Sequence, residues 1–350
     1  MTDVGSLLAR ATTGMVGWLS LAVAVGCGDA YQFETSTQDG FSTRQSSGGL
    51  PALLALVESA KDTTAFRGER IVRSVRREGV IEAREDVGAD GTGAFTIELL
   101  EVLSVPPGFD QASFPIQYES AARFHWQLRD FRLRGVDRTL DNYAVAKMPE
   151  TPVIAGIPCE RLELLRTTPI GDRPGHYQVD FDPQTGFVLA WSEFDELDQV
   201  IYQSSFETFA YDGFVGDLIL RDRAYAAQAL DLGSDLQAQA GMLVREPDVL
   251  PVGFDLVRSE LMDVPASIAA GQDAILRPGP WVRFLATDGV ETISFTHAES
   301  PGLPRASIAE IRFVSLGGWE VGFGEYAGTS FAVAGRVSAN DLRRIVESSF

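Results

Sequence analysis

The chain has 350 residues, with 29 Lys+Arg against 49 Asp+Glu for a formal net charge of −20, and 45% of it is hydrophobic. That is too apolar for a disordered acidic chain and long enough for about two domains, each with its own core. The attraction to phosphates that drives nucleic-acid binding would be repulsion at this charge, which excludes DNA and RNA as partners.

Gly14 to Gly26 (GMVGWLSLAVAVG) form an apolar run behind Arg10 that ends at Cys27. As a helix the run spans about 20 Å, short of the roughly 30 Å hydrocarbon core of a bilayer. It therefore reads as the h-region of a signal peptide and not as a transmembrane span. Ala24-Val25-Gly26-Cys27 resembles a bacterial lipobox, small residues before a cysteine that takes the lipid. The resemblance implies that residues 1–27 are a lipoprotein signal with Cys27 as the acylated, palmitate-bearing residue. Ala24 departs from the pattern, since Leu is commonest there, and the leading segment holds Asp3 beside its one cation, Arg10. A cleaved secretory signal with an incidental cysteine stays open as the alternative. Residues 28–49 are rich in Ser, Thr, Gly and Gln without a period and read as a flexible tether with an end-to-end distance of about 25 Å. The only other cysteine, Cys159, lies in VIAGIPCERLELL with no histidine near it in sequence. It reads as a small buried apolar residue and not as a reactive thiol.

The next segment, residues 50–214, reads as a helix followed by antiparallel strands. Leu53, Leu56 and Val57 share a helical face behind Pro51, which suits a helix start. The Arg/Glu/Val mixture from Phe66 suits strands with one wet face, turned at Asp90-Gly91. Phe114 to Asp130 reads as helical. Tyr177, Val179 and Phe181 then alternate with polar neighbours, Pro183 to Gly186 turn the chain, and Phe187, Leu189 and Trp191 alternate again before a third run at Val200 to Phe206. Three such strands joined by short turns make an antiparallel meander. The same alternation places Asp180 and Asp182 on the outward face, and Glu193, Asp195, Glu196 and Asp198 read as a solvated acidic turn.

Residues 215–249 read as a linker, and residues 250–350 as an α+β domain with an antiparallel sheet. Its strands are expected at Phe254 to Ser259, Trp281 to Ala286, Val290 to His297, Ile311 to Ser315 and Trp319 to Phe323. Asp288-Gly289 and Gly317-Gly318 sit at hairpin-turn positions. Ser338 with Asp341 makes a near capping box for a closing helix striped by Leu342, Ile345 and Val346.

The Ala155 to Cys159 strand and the stretch Tyr177 to Phe206 (YQVDFDPQTGFVLAWSEFDELDQVIYQSSF), with its Asp182-Pro183-x-Thr185-Gly186 turn, resemble the LolA/LolB lipoprotein-carrier superfamily. The Leu250-Pro251-x-Gly253-Phe254 opening, the Asp288-Gly289-Val290 turn and the terminal helix resemble the second domain of its RseB/MucB branch, which follows a LolA-like domain in that order. The resemblance implies an α+β chain: a LolA-like half-open antiparallel β-barrel packed with helices, then a smaller α+β domain. It also implies an envelope lipoprotein facing the periplasm, whose partner is the periplasmic part of an anti-sigma factor. An apolar concavity would sense lipid or acylated protein, and Phe124, Trp126, Phe187 and Trp191 are candidates to line it. A carrier of acyl chains and a scaffold with a filled interior remain the alternatives.

Catalytic and metal chemistry find no footing in the sequence. His125, His176 and His297 occur without HExxH or helical spacing, so no metal ligand set and no cofactor are expected. No Gly-x-Ser-x-Gly elbow is present, and Gly322 to Ala327 mimics a dinucleotide fingerprint but runs on into strand-like GTSFAV instead of a crossover helix.

Overall fold

In the computed structural model, the residues described are 49–76, 79–92, 94–108, 114, 118, 129–167, 176–195, 197–211, 222–223, 227–264, 278–299, 311–316, 319–326 and 328–350. Residues 46–350 cluster as one unit. It opens on α1 (Leu50–Thr63), with Pro51 in its first turn. Leu54, Val57 and Ala60 form the buried stripe, with Leu53 packed at its border, so the inward face is centred on Leu54. Leu54 and Val57 each contribute about 1.5–3 kcal/mol by leaving water.

Two long strands follow, β1 (Ala65–Arg76) and β2 (Gly79–Asp90), paired along their whole length, and then β3 (Ala94–Ser104). After α2 (Val136–Asn142) come β4 (Tyr143–Met148), the two-residue pair β5 (Val153–Ile154) and β6 (Ile157–Pro158), then β7 (Glu160–Arg166), β8 (His176–Phe181), β9 (Val188–Phe194), β10 (Val200–Phe206), β11 (Ala210–Tyr211) and β12 (Asp222–Arg223). The first sheet is antiparallel in the order β12-β3-β2-β1-β10-β9-β8-β7-β4, with β11 also beside β1. Among the described residues its terminal strands β12 and β4 do not pair with each other, so the sheet is not closed into a barrel.

The second sheet begins inside the stretch read as a linker: β13 (Ala227–Leu230) pairs with β14 (Asp255–Val264), and α3 (Leu236–Ala240) lies between them in sequence. Then come β15 (Gly279–Thr287), β16 (Thr292–Glu299), β17 (Arg312–Leu316), β18 (Trp319–Tyr326) and β19 (Thr329–Gly335), in the antiparallel order β13-β14-β15-β16-β19-β18-β17. The GTSFAV run is strand β19, as its composition indicates. The chain closes on α4 (Ala339–Ser349). Ser338 Oγ accepts the Asp341 N–H at 3.1 Å and donates to the Asp341 carboxylate at 2.7 Å, and Leu342, Ile345 and Val346 are buried. Those three pack on Val282, Phe284, Phe295, Phe331 and Val333 in a core of the second sheet's own. The first sheet's core gathers Leu54, Leu162, Leu164, Tyr177, Val179 and Phe181. The chain is thus α+β, mostly antiparallel sheet with few helices.

Candidate functional site: the seam between the two sheets

The β15–β16 turn, Asp288 to Glu291, carries the second sheet into the first. Val290 at its tip is buried in the first sheet's core, beside residues of α1 and β8. Its Asp288-Gly289 dipeptide builds the turn from within: Asp288 Oδ1 accepts the N–H groups of Val290 and Glu291 at 3.0 and 2.8 Å, and Gly289 takes φ +105°, where a side chain is strained. A Cβ there would also stand 2.6 Å from the Thr139 amide nitrogen.

The first sheet receives the turn with a matched set of donors. Arg166 Nη1 and the Tyr143 hydroxyl donate to Asp288 Oδ2 at 2.6 and 2.8 Å, and the Tyr177 hydroxyl donates to Glu291 at 2.8 Å. Asn142 donates to the Asp288 carbonyl at 2.9 Å, while Thr139 Oγ1 and the Arg134 amide donate to the Gly289 carbonyl at 3.1 and 2.8 Å. Burial works against the charge on Arg166, but Tyr143 and Asp288 outweigh it and hold the guanidinium above its ordinary range. Burial, then neighbouring acidic groups, pushes both phenols well up, so they stay protonated and donating.

A second lock lies along β9 and β10. Arg336, just past β19, lays its guanidinium 4.2 Å from the Trp191 ring centroid and 4.1 Å from that of Tyr202, with Trp319 at 5.9 Å. Its Nη1 pairs with Glu193 at 3.1 Å, and its Nη2 donates to the Arg129 carbonyl at 2.7 Å, which Trp319 Nε1 also reaches at 3.3 Å. Arg129 continues the network to Glu85 at 2.7 Å; Arg70 joins Glu85 at 2.9 Å and Asp130 at 3.0 Å, and the Tyr118 hydroxyl also donates to Glu85. Glu85 is fully buried, which by itself would favour its neutral form; Arg129 and Arg70 overcome this and hold it below the usual carboxylate range.

These contacts correct two expectations. Glu193 is not part of a solvated turn: it is 3% exposed and carries the Arg336 pair, while Asp195 shapes the turn by accepting the Leu197 and Gln199 amides. Asp180 and Asp182 are not outward either. Arg161, directly across from Asp180 on β7, covers it with a bidentate pair, and Tyr211 and Thr185 donate to Asp182. The alternation was read correctly for Tyr177, Val179 and Phe181, which are buried, but a cross-strand arginine gives the opposite face a cover that composition does not show.

Of the residues expected to line an apolar concavity, Phe187 and Trp191 border one cavity of about 30 Å³, between α1, β1 and β9. That is room for one or two waters, against roughly 300 Å³ or more for a ligand pocket. Phe187 stacks into a ring cluster with Phe66 and Phe209, at 4.7 and 5.0 Å between centroids, and Trp191 faces Tyr202 at 4.6 Å. Phe124, Trp126 and Cys27 lie outside the described residues. Cys159 is buried, its Sγ 3.3 Å from the Ile157 carbonyl, and burial pushes the thiol up to about 11, far from a reactive thiolate. Among the described residues no group of three His, Cys, Asp or Glu is placed to hold a metal, and no helix is long and apolar enough to cross a membrane.

No protein-family model and no curated protein matches the chain. Among solved structures, it is similar to a chain of the Pseudomonas aeruginosa MucA/MucB complex, at 16% identity and a TM-score of 0.41, over 84% of this chain and 96% of that one. It is similar to a crystal structure of MucB at 16% identity and a TM-score of 0.45, over 85% and 96%. A putative outer membrane lipoprotein-sorting protein domain from Vibrio parahaemolyticus is similar at 8% identity and a TM-score of 0.22, over 46% and 92%.

Proposed function

We propose that this chain is an envelope lipoprotein of the RseB/MucB kind, a binding protein and not an enzyme. In this reading it is held to a membrane by acylated Cys27, stands off it on residues 28–49, and faces the periplasm. There it binds the periplasmic part of an anti-sigma-type membrane protein. The observation that favours regulator over carrier is the close packing, among the described residues, around Phe187 and Trp191. A carrier needs a standing apolar cavity, whereas Phe187 and Trp191 border about 30 Å³, and Val290 of the Asp288–Glu291 turn packs in the same core cluster as Trp191. What remains is a body of two interlocked sheets with a pre-organised outer surface, which suits docking of a protein. Acyl chains of lipid or lipoprotein enter this reading as a signal that has to part these aromatics to be admitted.

The test is crosslinking in intact envelopes followed by mass spectrometry. A membrane regulator recovered in near-equal amount, together with labelled palmitate on the wild type that Cys27→Ala abolishes, is the expected result. Soluble protein loaded with lipid and no membrane partner would establish the carrier instead. An unlabelled Cys27 would remove the anchor from the reading.

A further inference from the structure

We propose that residues 241–250, the irregular segment between α3 and β14, form a strap that acid releases, with His297 as its latch. This device stands apart from the partner-binding reading above and does not depend on it.

Single side chains, and not a strand ladder, tie this segment down. Glu299 of β16 accepts the Leu243 amide at 2.9 Å, His297 Nε2 accepts the Arg245 amide at 3.0 Å, and Ser348 of α4 accepts the Val249 amide at 3.1 Å. Met242, Val244 and Leu250 pack on the second sheet's core, and the Arg245 guanidinium lies 5.5 Å from the Phe350 ring centroid. Leu243 and Val249 are exposed, so the strap is a thin cover with water on its outer side. His297 sits beneath it, fully buried, at 6.1 and 5.5 Å between centroids from Phe284 and Phe295 and opposite Val282 of β15 and Phe331 of β19. Arg245 is the charged group that faces it from the strap. Glu299 stands two residues along the same face of β16 and is occupied by the Leu243 amide.

A ring nitrogen that accepts an amide N–H carries no proton of its own, so the latch requires a neutral imidazole. A proton arriving on Nε2 sets donor against donor across 3.0 Å and places a cation among apolar rings with Arg245 close by. The sheet gives no relief, because backbone pairing to β15 and β19 holds His297 from both sides. Lifting the strap relieves both faults: water reaches the ring and the Arg245 amide. The depressed pKa of the closed form, about 4, agrees with this geometry; burial is its main cause, the Leu243 backbone partly offsets it and Arg245 adds to it. With the strap open the ring returns to about 6.5, so the closed form is favoured above that value and loses ground as pH falls toward 4. Opening uncovers the core that Met242, Val244 and Leu250 cover, so the acidity of the surroundings sets how much of the second sheet's apolar face is on offer.

The experiment is hydrogen–deuterium exchange of the full chain at pH 7 and pH 5, read on peptides covering 241–250 and corrected for the intrinsic pH dependence of exchange. Protection of the strap is expected to fall about tenfold or more from pH 7 to pH 5, while the amides of β15 and β16 keep theirs. In His297→Gln, whose side-chain carbonyl can accept the Arg245 amide without titrating, protection of the strap should stay level. Glu299→Gln removes the other titrating anchor but keeps an acceptor for the Leu243 amide, so it should retain the wild-type response. That variant, set beside the wild-type contrast between strap and strands, decides the matter where His297→Gln does not fold. Strap protection that is unchanged by pH, that falls equally in a folded His297→Gln protein, that is levelled by Glu299→Gln, or that falls together with β15 and β16 overturns the proposal.

Discussion

Arg336 shows how one side chain joins two cores. Its planar guanidinium stacks on Trp191 and Tyr202 of the first sheet while its Nη1 pairs with Glu193, so cation–π and ionic contacts act on the same group. Truncating it leaves Glu193 buried without its partner, which costs more than the pair itself contributes. Arg336→Met is therefore expected to lose about 3–5 kcal/mol, and Arg336→Met with Glu193→Gln to recover part of that. Urea unfolding of the wild type, both single variants and the double variant measures this; additive losses would show that the two residues are not coupled. His297 offers a pH-dependent counterpart. It is fully buried beside Phe284 and Phe295, its Nε2 accepts the Arg245 amide at 3.0 Å, and burial pushes its pKa down from 6.5 to about 4. The folded state thus resists a proton that the unfolded chain takes up near pH 6.5. Its contribution is complete above that value and is lost as pH falls from 6.5 toward 4, on the order of 3 kcal/mol in all. Stability measured between pH 7 and 5 should fall more steeply in the wild type than in His297→Gln; parallel curves would assign the slope to other groups.

At the scale of elements, the β15–β16 turn is the joint. Gly289 is required twice over, by its φ of +105° and by the Thr139 backbone against it. Gly289→Ala should cost about 2–4 kcal/mol, the sum of backbone strain and overpacking. Limited proteolysis together with urea unfolding tests whether that loss also loosens the joint; an unchanged midpoint would mean that the turn yields freely. Local chemistry made this turn legible in the sequence, since Asp-Gly at a hairpin position needs no distant partner. The Ser338 cap, the Leu342-Ile345-Val346 stripe and the meander of β8, β9 and β10 were readable for the same reason. Partners far along the chain were not. In β1 and β2 the period of two places Phe66, Arg70 and Val72, and Ile81, Glu85 and Val87, all inward, yet only Arg129, Asp130 and Tyr118 from elsewhere make Arg70 and Glu85 tenable there. Their mutual cross-strand register, Arg70 opposite Glu85, was the one available signal. The edge strand β13 was missed because four residues of Ala, Gln and Leu carry no clear alternation until β14 lies beside them.

For the molecule as a whole, charge governs approach. A body at −20 repels anionic headgroups, so in the proposed reading the lipid and not the protein surface holds it at the membrane, and its protein partner presents a basic face. The excess acid lies mostly outside the seam, where Asp288, Glu193 and Glu85 are each matched by arginine and do not contribute to the outer field. Attraction between the outer surface and a basic partner acts over the Debye length, about 10 Å at 0.1 M salt and about 3 Å at 1 M. Raising salt over that range should therefore slow association about tenfold or more and leave dissociation, set by the buried contacts, little changed. Surface plasmon resonance on the complex recovered from envelopes separates the two rates. A complex whose association rate does not respond to salt would mean that apolar docking and not this field selects the partner.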